Sequence, residues 1–229
     1  MAVLCWDFDG TLVLSHHLWS NSVRKALDET VPDNKIRFTD IRKCMATGFT
    51  WHTPFEDYSN MLGEDWWSFM ENHICKSYIS LGLTENRAEK ASKKVRSILT
   101  DTQNFILYKT TVETLKATKN LGHKNIILSN NFPELEDVIE KLGIKSYFEH
   151  FIISALEGYD KPRSEIFEKA KRLYPDEKYF MIGDSISADI IGGKNAGMTT
   201  ILVHKGYNQN ADYCVDRLSD ILKIRGIVR

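Results

Sequence analysis

From residue 105 onward the chain keeps one rhythm: short, β-branched apolar runs alternate with segments of helical spacing. Lys124–Ser129 reads as a buried strand, and a helix over 133–142 stops at Gly143. Residues 148–154 form the next strand, and 163–174 a helix with Ile166, Phe167, Ala170 and Leu173 on one face, stopped by Pro175. A third strand spans 178–182, followed by a helix over 188–196 that ends at Gly197, and Thr199–Val203 is a fourth. At the front of the chain Ala2–Trp6 adds another strand. Strands separated by helices predict βαβ units, hence an α/β fold with a parallel sheet covered on both faces.

The stretch between strand Ala2–Trp6 and residue 105 breaks that rhythm. Residues 22–29, 39–46, Glu64–Ser80 and 84–99 have helical periodicity with no strand-like run between them. This segment holds four of the five Trp (Trp19, Trp51, Trp66 and Trp67) and four of the seven His (His16, His17, His52 and His73). It reads as a helical insertion, placing a core at 1–13 and 105–229 and a helical unit at 14–104.

Bulk composition excludes several classes. Thirty Lys and Arg against 31 Asp and Glu leave a net charge of -1, with no global field to attract nucleic acid or an acidic membrane. The longest apolar runs fall far short of the roughly 20 residues needed to cross a bilayer. An N-terminus with no basic start and an Asp at position 7 is no signal peptide, so a cytoplasmic location is expected. Cys5, Cys44, Cys75 and Cys214 stand far apart, as isolated reduced thiols rather than a zinc site or disulfide frame.

In an open parallel sheet, ligands bind beyond the carboxyl ends of the strands. Four features fall there. Asp7, Phe8, Asp9, Gly10 and Thr11 follow the first strand, and Ser129 and Asn130 close the second. Lys161 and Pro162 precede the 163–174 helix; Pro162 suits its first turn and holds Lys161 extended. Gly183, Asp184, Ser185 and Asp189 follow the strand at 178–182. A calcium EF-hand does not fit, because Gly comes at the fourth position and a strand leads in. Gly192, Gly193, Lys194 and Asn195 are not a phosphate loop, since Asn stands where Ser or Thr belongs; they read as helix packing. Singly, Ser129 could be a capping hydroxyl, Lys161 a solvated charge and Asp184 or Ser185 an N-cap. All of these at one sheet edge make that joint reading improbable.

Charge then selects the chemistry. Asp7, Asp9, Asp184 and Asp189 repel one another and any anion, and Lys161 alone cannot neutralise them. A hard divalent cation can, and oxygen ligands with an anionic substrate favour Mg²⁺. Such a cluster, faced by a Lys and a Ser hydroxyl, suits phosphoryl transfer with an Asp nucleophile.

These residues resemble the four motifs of the haloacid dehalogenase-like hydrolase superfamily, in its order, from Asp7 to Asp189. The insertion resembles the helical cap of subfamily I. Asp65 to Met70 is similar to the cap of haloacid dehalogenase-like hydrolase domain proteins, and Gly183 to Gly197 to nucleotidase-like members. The resemblance implies a Rossmann-like parallel sheet core with an inserted all-helical cap domain, and a Mg²⁺-dependent phosphatase of a small phosphorylated metabolite. It implies Asp7 as nucleophile and Asp9 as acid and base. Ser129 and Lys161 would hold phosphate oxygens, with the backbone N–H groups of Phe8, Asp9 and Asn130. Asp7, the Asp9 carbonyl and Asp184 would bind the metal, with Asp189 behind them. Like-charge crowding should raise the pKa of one carboxylate, and that suits Asp9. One position departs from the family: Leu14 stands where many members carry an acid. A haloacid dehalogenase, a phosphomutase and a non-enzymatic receiver-type phospho-Asp module are the competing readings.

Within the insertion, residues 47–54 read as a loop over the site, with Trp51 and His52 as candidate substrate contacts and Trp66 and Trp67 as core. Aromatic rings there lean towards a planar leaving group such as a nucleoside. The expected state is a monomer or weak homodimer with no nucleic-acid or membrane partner.

Overall fold

The computed structural model describes residues 1–14 and 17–228; Ser15, His16 and Arg229 lie outside the described residues, so the His16 of the predicted insertion is not placed. The strands are β1 (Ala2–Trp6), β2 (Lys124–Ser129), β3 (His150–Ile153), β4 (Lys178–Gly183), β5 (Thr199–Val203) and β6 (Tyr213–Val215). They form one sheet in the order β3-β2-β1-β4-β5-β6 with every pairing parallel. Alternation across β1 feeds two cores. Leu4 and Trp6 pack with Ile127, Phe180 and Ile201 on one face, whereas Val3 and Cys5 pack with Ile126, Leu128 and Met181 on the other. All five β1 residues are buried, as a central strand of a two-sided parallel sheet requires.

Helices α1 (Leu18–Thr30), α2 (Phe38–Cys44), α3 (Glu64–Ser80) and α4 (Glu85–Leu99) lie between β1 and α5 (Thr111–Asn120) in the chain. Helix α4 packs against both α1 and α3. The remaining helices are α6 (Leu135–Lys141), α7 (Ser154–Glu157), α8 (Ser164–Leu173) and α9 (Gly192–Asn195). Helices α5 and α6 bury Leu115, Leu135, Val138 and Ile139 on one sheet face, and α8 buries Ile166, Phe167 and Ala170 on the other. Among the described residues, no helix is long and apolar enough to cross a membrane.

Two elements beside the crevice differ in kind or position from their sequence reading, whereas α1 and β3 differ in their ends. The helix expected over 188–196 is a π-helical turn, Ile186–Ile191, running into α9. The Ser185 hydroxyl accepts from Ala188 N at 3.1 Å while the Ser185 carbonyl accepts from the N–H groups of both Asp189 and Ile190, which widens this first turn. Helix α8 begins at Ser164, so Pro162 precedes it rather than occupying its first turn, and the Lys161–Pro162 peptide is cis. Gly192 and Gly193 do serve packing: a Cβ on either would lie 2.8 Å from Phe167 or Met181.

From β1 the chain proceeds to β2 and β3 on one side, then crosses to β4, β5 and β6 on the other. That reversal opens a crevice at the carboxyl end of β1, flanked by the ends of β2 and β4.

Candidate active site

Asp7 extends the β1–β4 pairing by one bond, its N–H donating to Ile182 O at 2.9 Å. The chain then turns sharply. Leu12 N donates to Phe8 O at 2.9 Å, and Gly10 adopts φ +75 with its α-carbon against Asp184, where a Cβ would sit 2.5 Å from the carboxylate. Only glycine takes both that dihedral and that contact without strain. The Phe8 side chain is buried against Phe105, centroids 5.7 Å apart, leaving its backbone at the crevice.

The predicted residues converge on Asp7. Its Oδ1 accepts from Ser129 Oγ and from Lys161 Nζ, both at 2.9 Å. Lys161 is 2% exposed, and its ammonium also donates to Leu128 O at 2.8 Å and Asp189 Oδ1 at 2.6 Å, so three acceptors meet three donors. Burial alone would lower the Lys161 pKa; Asp189 and Asp7 outweigh it and hold the ammonium charged. Asp189 is fully buried, and burial pushes its carboxyl upward against the pull of Lys161. Its Oδ2 accepts from Ser185 N at 2.9 Å, and it occupies the space that a Cβ on Gly183 would need.

Asp9 is raised to about 7, first by burial and then by the Asp7 charge, with a hydrogen bond from Asn131 opposing the rise. Asp184 is raised by burial and by Asp7, and Lys205 pairs with it from the surface at 3.2 Å. Asp7, Asp184 and Asp189 bring oxygens within 4.8 Å of one another. Three carboxylates, two of them paired with one buried ammonium, are all hard oxygen donors and fit a divalent cation of the magnesium type.

Other contacts sharpen or revise the expectations. The Asn130 side chain clamps the Lys161 backbone, donating to its carbonyl at 2.9 Å and accepting from its N–H at 2.7 Å. Asn131, given no role from sequence, donates through Nδ2 to Asp9 Oδ2 at 2.8 Å. A lone Asn carries no pattern by which sequence reasoning could have found it. Trp51 lines a cavity of about 270 Å³ together with Asp7, Asp9 and Lys161. His52 does not line it; its Nδ1 accepts from Phe49 N at 3.3 Å. The two share a 3-10 turn, Thr50–His52, where a plain loop was expected. Trp66 and Trp67 are buried core residues. Leu14 borders a separate groove with Ile106, Tyr108 and His204.

Comparison with known proteins follows the same lines. The family model described as haloacid dehalogenase-like hydrolase matches residues 1–197. Over 123 residues the chain is 32% identical to the glyceraldehyde 3-phosphate phosphatase of Pyrococcus furiosus, covering 49% of this chain and 51% of that protein. It is 33% identical over 90 residues to the pyrimidine 5'-nucleotidase YjjG of Escherichia coli, covering 38% and 40% of the two chains. The chain thus spans about half the length, or less, of these curated relatives. Among solved structures, a phosphatase from Thermococcus onnurineus superposes with a TM-score of 0.69 at 23% identity over 100% of both chains. YfnB of Bacillus subtilis, bound to magnesium, superposes with a TM-score of 0.75 at 16% identity over 97% of both. At those identities the likeness is one of fold.

Proposed function

Because the chain belongs to the haloacid dehalogenase-like hydrolases, we propose that it is a magnesium-dependent phosphatase of small phosphomonoesters, working through an aspartyl-phosphate on Asp7. The observation that carries this reading is the bracketing of one Asp7 oxygen by Ser129 and Lys161, with Asp9 two residues away and raised towards neutrality. The named activities of the relatives, on a triose phosphate and on pyrimidine nucleotides, support a small phosphorylated substrate.

In this mechanism an Asp7 carboxylate oxygen bonds to phosphorus as the ester P–O bond breaks. The departing alkoxide takes its proton from Asp9. Asp9, now a carboxylate, removes a proton from water. The resulting hydroxide bonds to phosphorus and breaks the P–O bond to Asp7, releasing inorganic phosphate and restoring the nucleophile. Ser129, Lys161 and the backbone N–H groups of Phe8, Asp9 and Asn130 hold the phosphoryl oxygens. A magnesium ion, held by the carboxylates of Asp7 and Asp184 and the carbonyl of Asp9, supplies positive charge against those oxygens when bound. Asp189 orients Lys161 by direct ion pairing. Helices α1 to α4, with the intervening turn that carries Trp51, act as the cap, so that residues 14–104 screen the substrate and 1–13 with 105–229 perform the chemistry.

Dehalogenation gives Asp9 no task, and a receiver-type module has no need of four inserted helices. The test is Asp7→Asn. Phosphate release from p-nitrophenyl phosphate in magnesium buffer should fall to background while the circular dichroism spectrum is unchanged; full residual activity would overturn the mechanism.

A further inference from the structure

The cavity over Asp7 carries information about what leaves from phosphorus. Lys161 is the one cation among the described residues lining it, and the proposed mechanism assigns that ammonium to the phosphoryl oxygens. Two other basic groups nearby lie outside the lining: Lys205, which meets Asp184 from the surface, and Arg163, whose guanidinium pairs with Glu165 and lies 4.8 Å over the Tyr159 ring. Apart from Lys161 and the carboxylates, the lining is uncharged, apolar at Trp51, Pro54, Pro162 and Ala188 and polar at Asn130, Ser185 and Ser187. A phosphoryl group can be offset by Lys161 and a divalent cation. A second anion on the same substrate would meet no further cation among the described lining residues and would face Asp7, Asp9 and Asp189.

Trp51 is also held in place before any substrate arrives. Phe49, 1% exposed, stacks on it at 4.7 Å with 9° between the rings, and Trp19 meets it at 5.1 Å. Phe49 in turn is met edge-on by His73 at 4.6 Å. Phe49 covers one side of the indole and Trp19 meets it as well, so Trp51 lines the cavity as an aromatic shelf braced from behind.

We propose that this site selects phosphomonoesters whose leaving alcohol is uncharged and presents a flat or C–H-rich face to Trp51, as a sugar, polyol or nucleoside does, and rejects esters that carry a second anionic group. The inference rests on the phosphatase reading and deepens it by naming the substrate class.

The test compares kcat/KM for size-matched pairs in magnesium buffer: glycerol 3-phosphate against 3-phosphoglycerate, and fructose 6-phosphate against 6-phosphogluconate. The uncharged-alcohol ester of each pair should be favoured by about tenfold or more, where tenfold is 1.4 kcal/mol. Equal or better turnover of the carboxylated esters overturns the charge filter and leaves the phosphatase reading standing. No phosphate release from any ester, p-nitrophenyl phosphate included, overturns both. Pro54→Lys, which sets an ammonium in the wall, should narrow the ratio within each pair; an unchanged ratio counts against the filter. Trp51→Ala should raise KM for the uncharged esters several-fold while the inhibition constant of inorganic phosphate holds. Loss of phosphate inhibition in parallel would mean that the indole only supports the fold, and would overturn the shelf.

Discussion

At the scale of single residues, Asn131 decides where the Asp9 carboxyl points. Its Nδ2 donates to Asp9 Oδ2 at 2.8 Å, its Oδ1 accepts from Phe132 N at 3.0 Å, and its own N–H donates to Ser154 Oγ at 3.1 Å. A buried amide held at three points leaves the acid little freedom. Removing it with Asn131→Ala should slow hydrolysis of an alkyl phosphate by about 10-fold to 100-fold, part of what a positioned general acid supplies. p-Nitrophenyl phosphate, whose leaving group departs without a proton, should lose much less. Equal losses on both esters would reduce Asn131 to a packing residue. Asp160 is a different case. It is 3% exposed, burial raises its pKa, and the hydroxyls of Ser154 and Thr50 only partly oppose that rise. Neither Asp160 Oδ1 nor Thr50 Oγ1 completes a hydrogen bond of good geometry. As pH rises above the ordinary carboxyl value, the unfolded chain loses this proton before the folded one, so folding stability declines through that window. Asp160→Asn should therefore melt higher than the parent at pH 7, with the gap closing at pH 4. A gap independent of pH would show that the carboxyl ionises normally.

At the scale of elements, legibility followed the strength of the apolar period. Ala2–Trp6 and Thr199–Val203 were readable to the residue because both sheet faces demand apolar side chains there. Helix α3 was equally plain, since Trp67, Met70, Ile74 and Tyr78 mark one face. Helix α5 went unread because three of its four buried residues are threonines, Thr111, Thr114 and Thr118, and only Leu115 is apolar. Strand β6 has three residues at a sheet edge and none fully buried, so no apolar run announces it. The motif residues of the site were legible because Asp7, Ser129 and Asp184 lie at strand ends and Lys161 stands before a helix marked by Pro162. The side chains that position them, Asn131 and the Asn130 amide, were not, because their partners are 31 or more residues distant. Packing among the inserted helices is likewise non-local. The Tyr78 hydroxyl of α3 donates to Val23 O of α1 at 2.6 Å in a buried setting. Tyr78→Phe should cost about 1 kcal/mol in chemical denaturation, the usual net worth of such a bond. A change within ±0.3 kcal/mol would show that Val23 O is satisfied without it, a tolerance about the size of an ordinary surface effect.

Over the whole molecule the net charge of -1 conceals a steep local imbalance. Asp7, Asp184 and Asp189 crowd one end of the sheet, and among the described residues Lys161 and the surface Lys205 are the cations paired with them. Strand geometry forces this proximity: Asp7 prolongs β1 and Asp184 follows directly on β4, its parallel neighbour. The fold therefore carries repulsion that a bound cation would relieve, and relief that exists only in the folded state would appear as stability. Magnesium at about 100 times its dissociation constant should add about 2.7 kcal/mol. In a chain of this length that corresponds to a Tm rise of about 5–10 °C. Asp184→Asn removes one charge from the cluster and one of the ligands proposed for the cation. Its loss of the exposed Lys205 pair costs at most about 1 kcal/mol. The variant should therefore melt no lower than the metal-free parent and should lose the magnesium-dependent rise. Calorimetry in EDTA and in magnesium separates the two effects without any turnover measurement. A full magnesium shift in Asp184→Asn would place the cation elsewhere, and a marked drop in its metal-free Tm would mean that the carboxylates are held together by something stronger than their mutual repulsion.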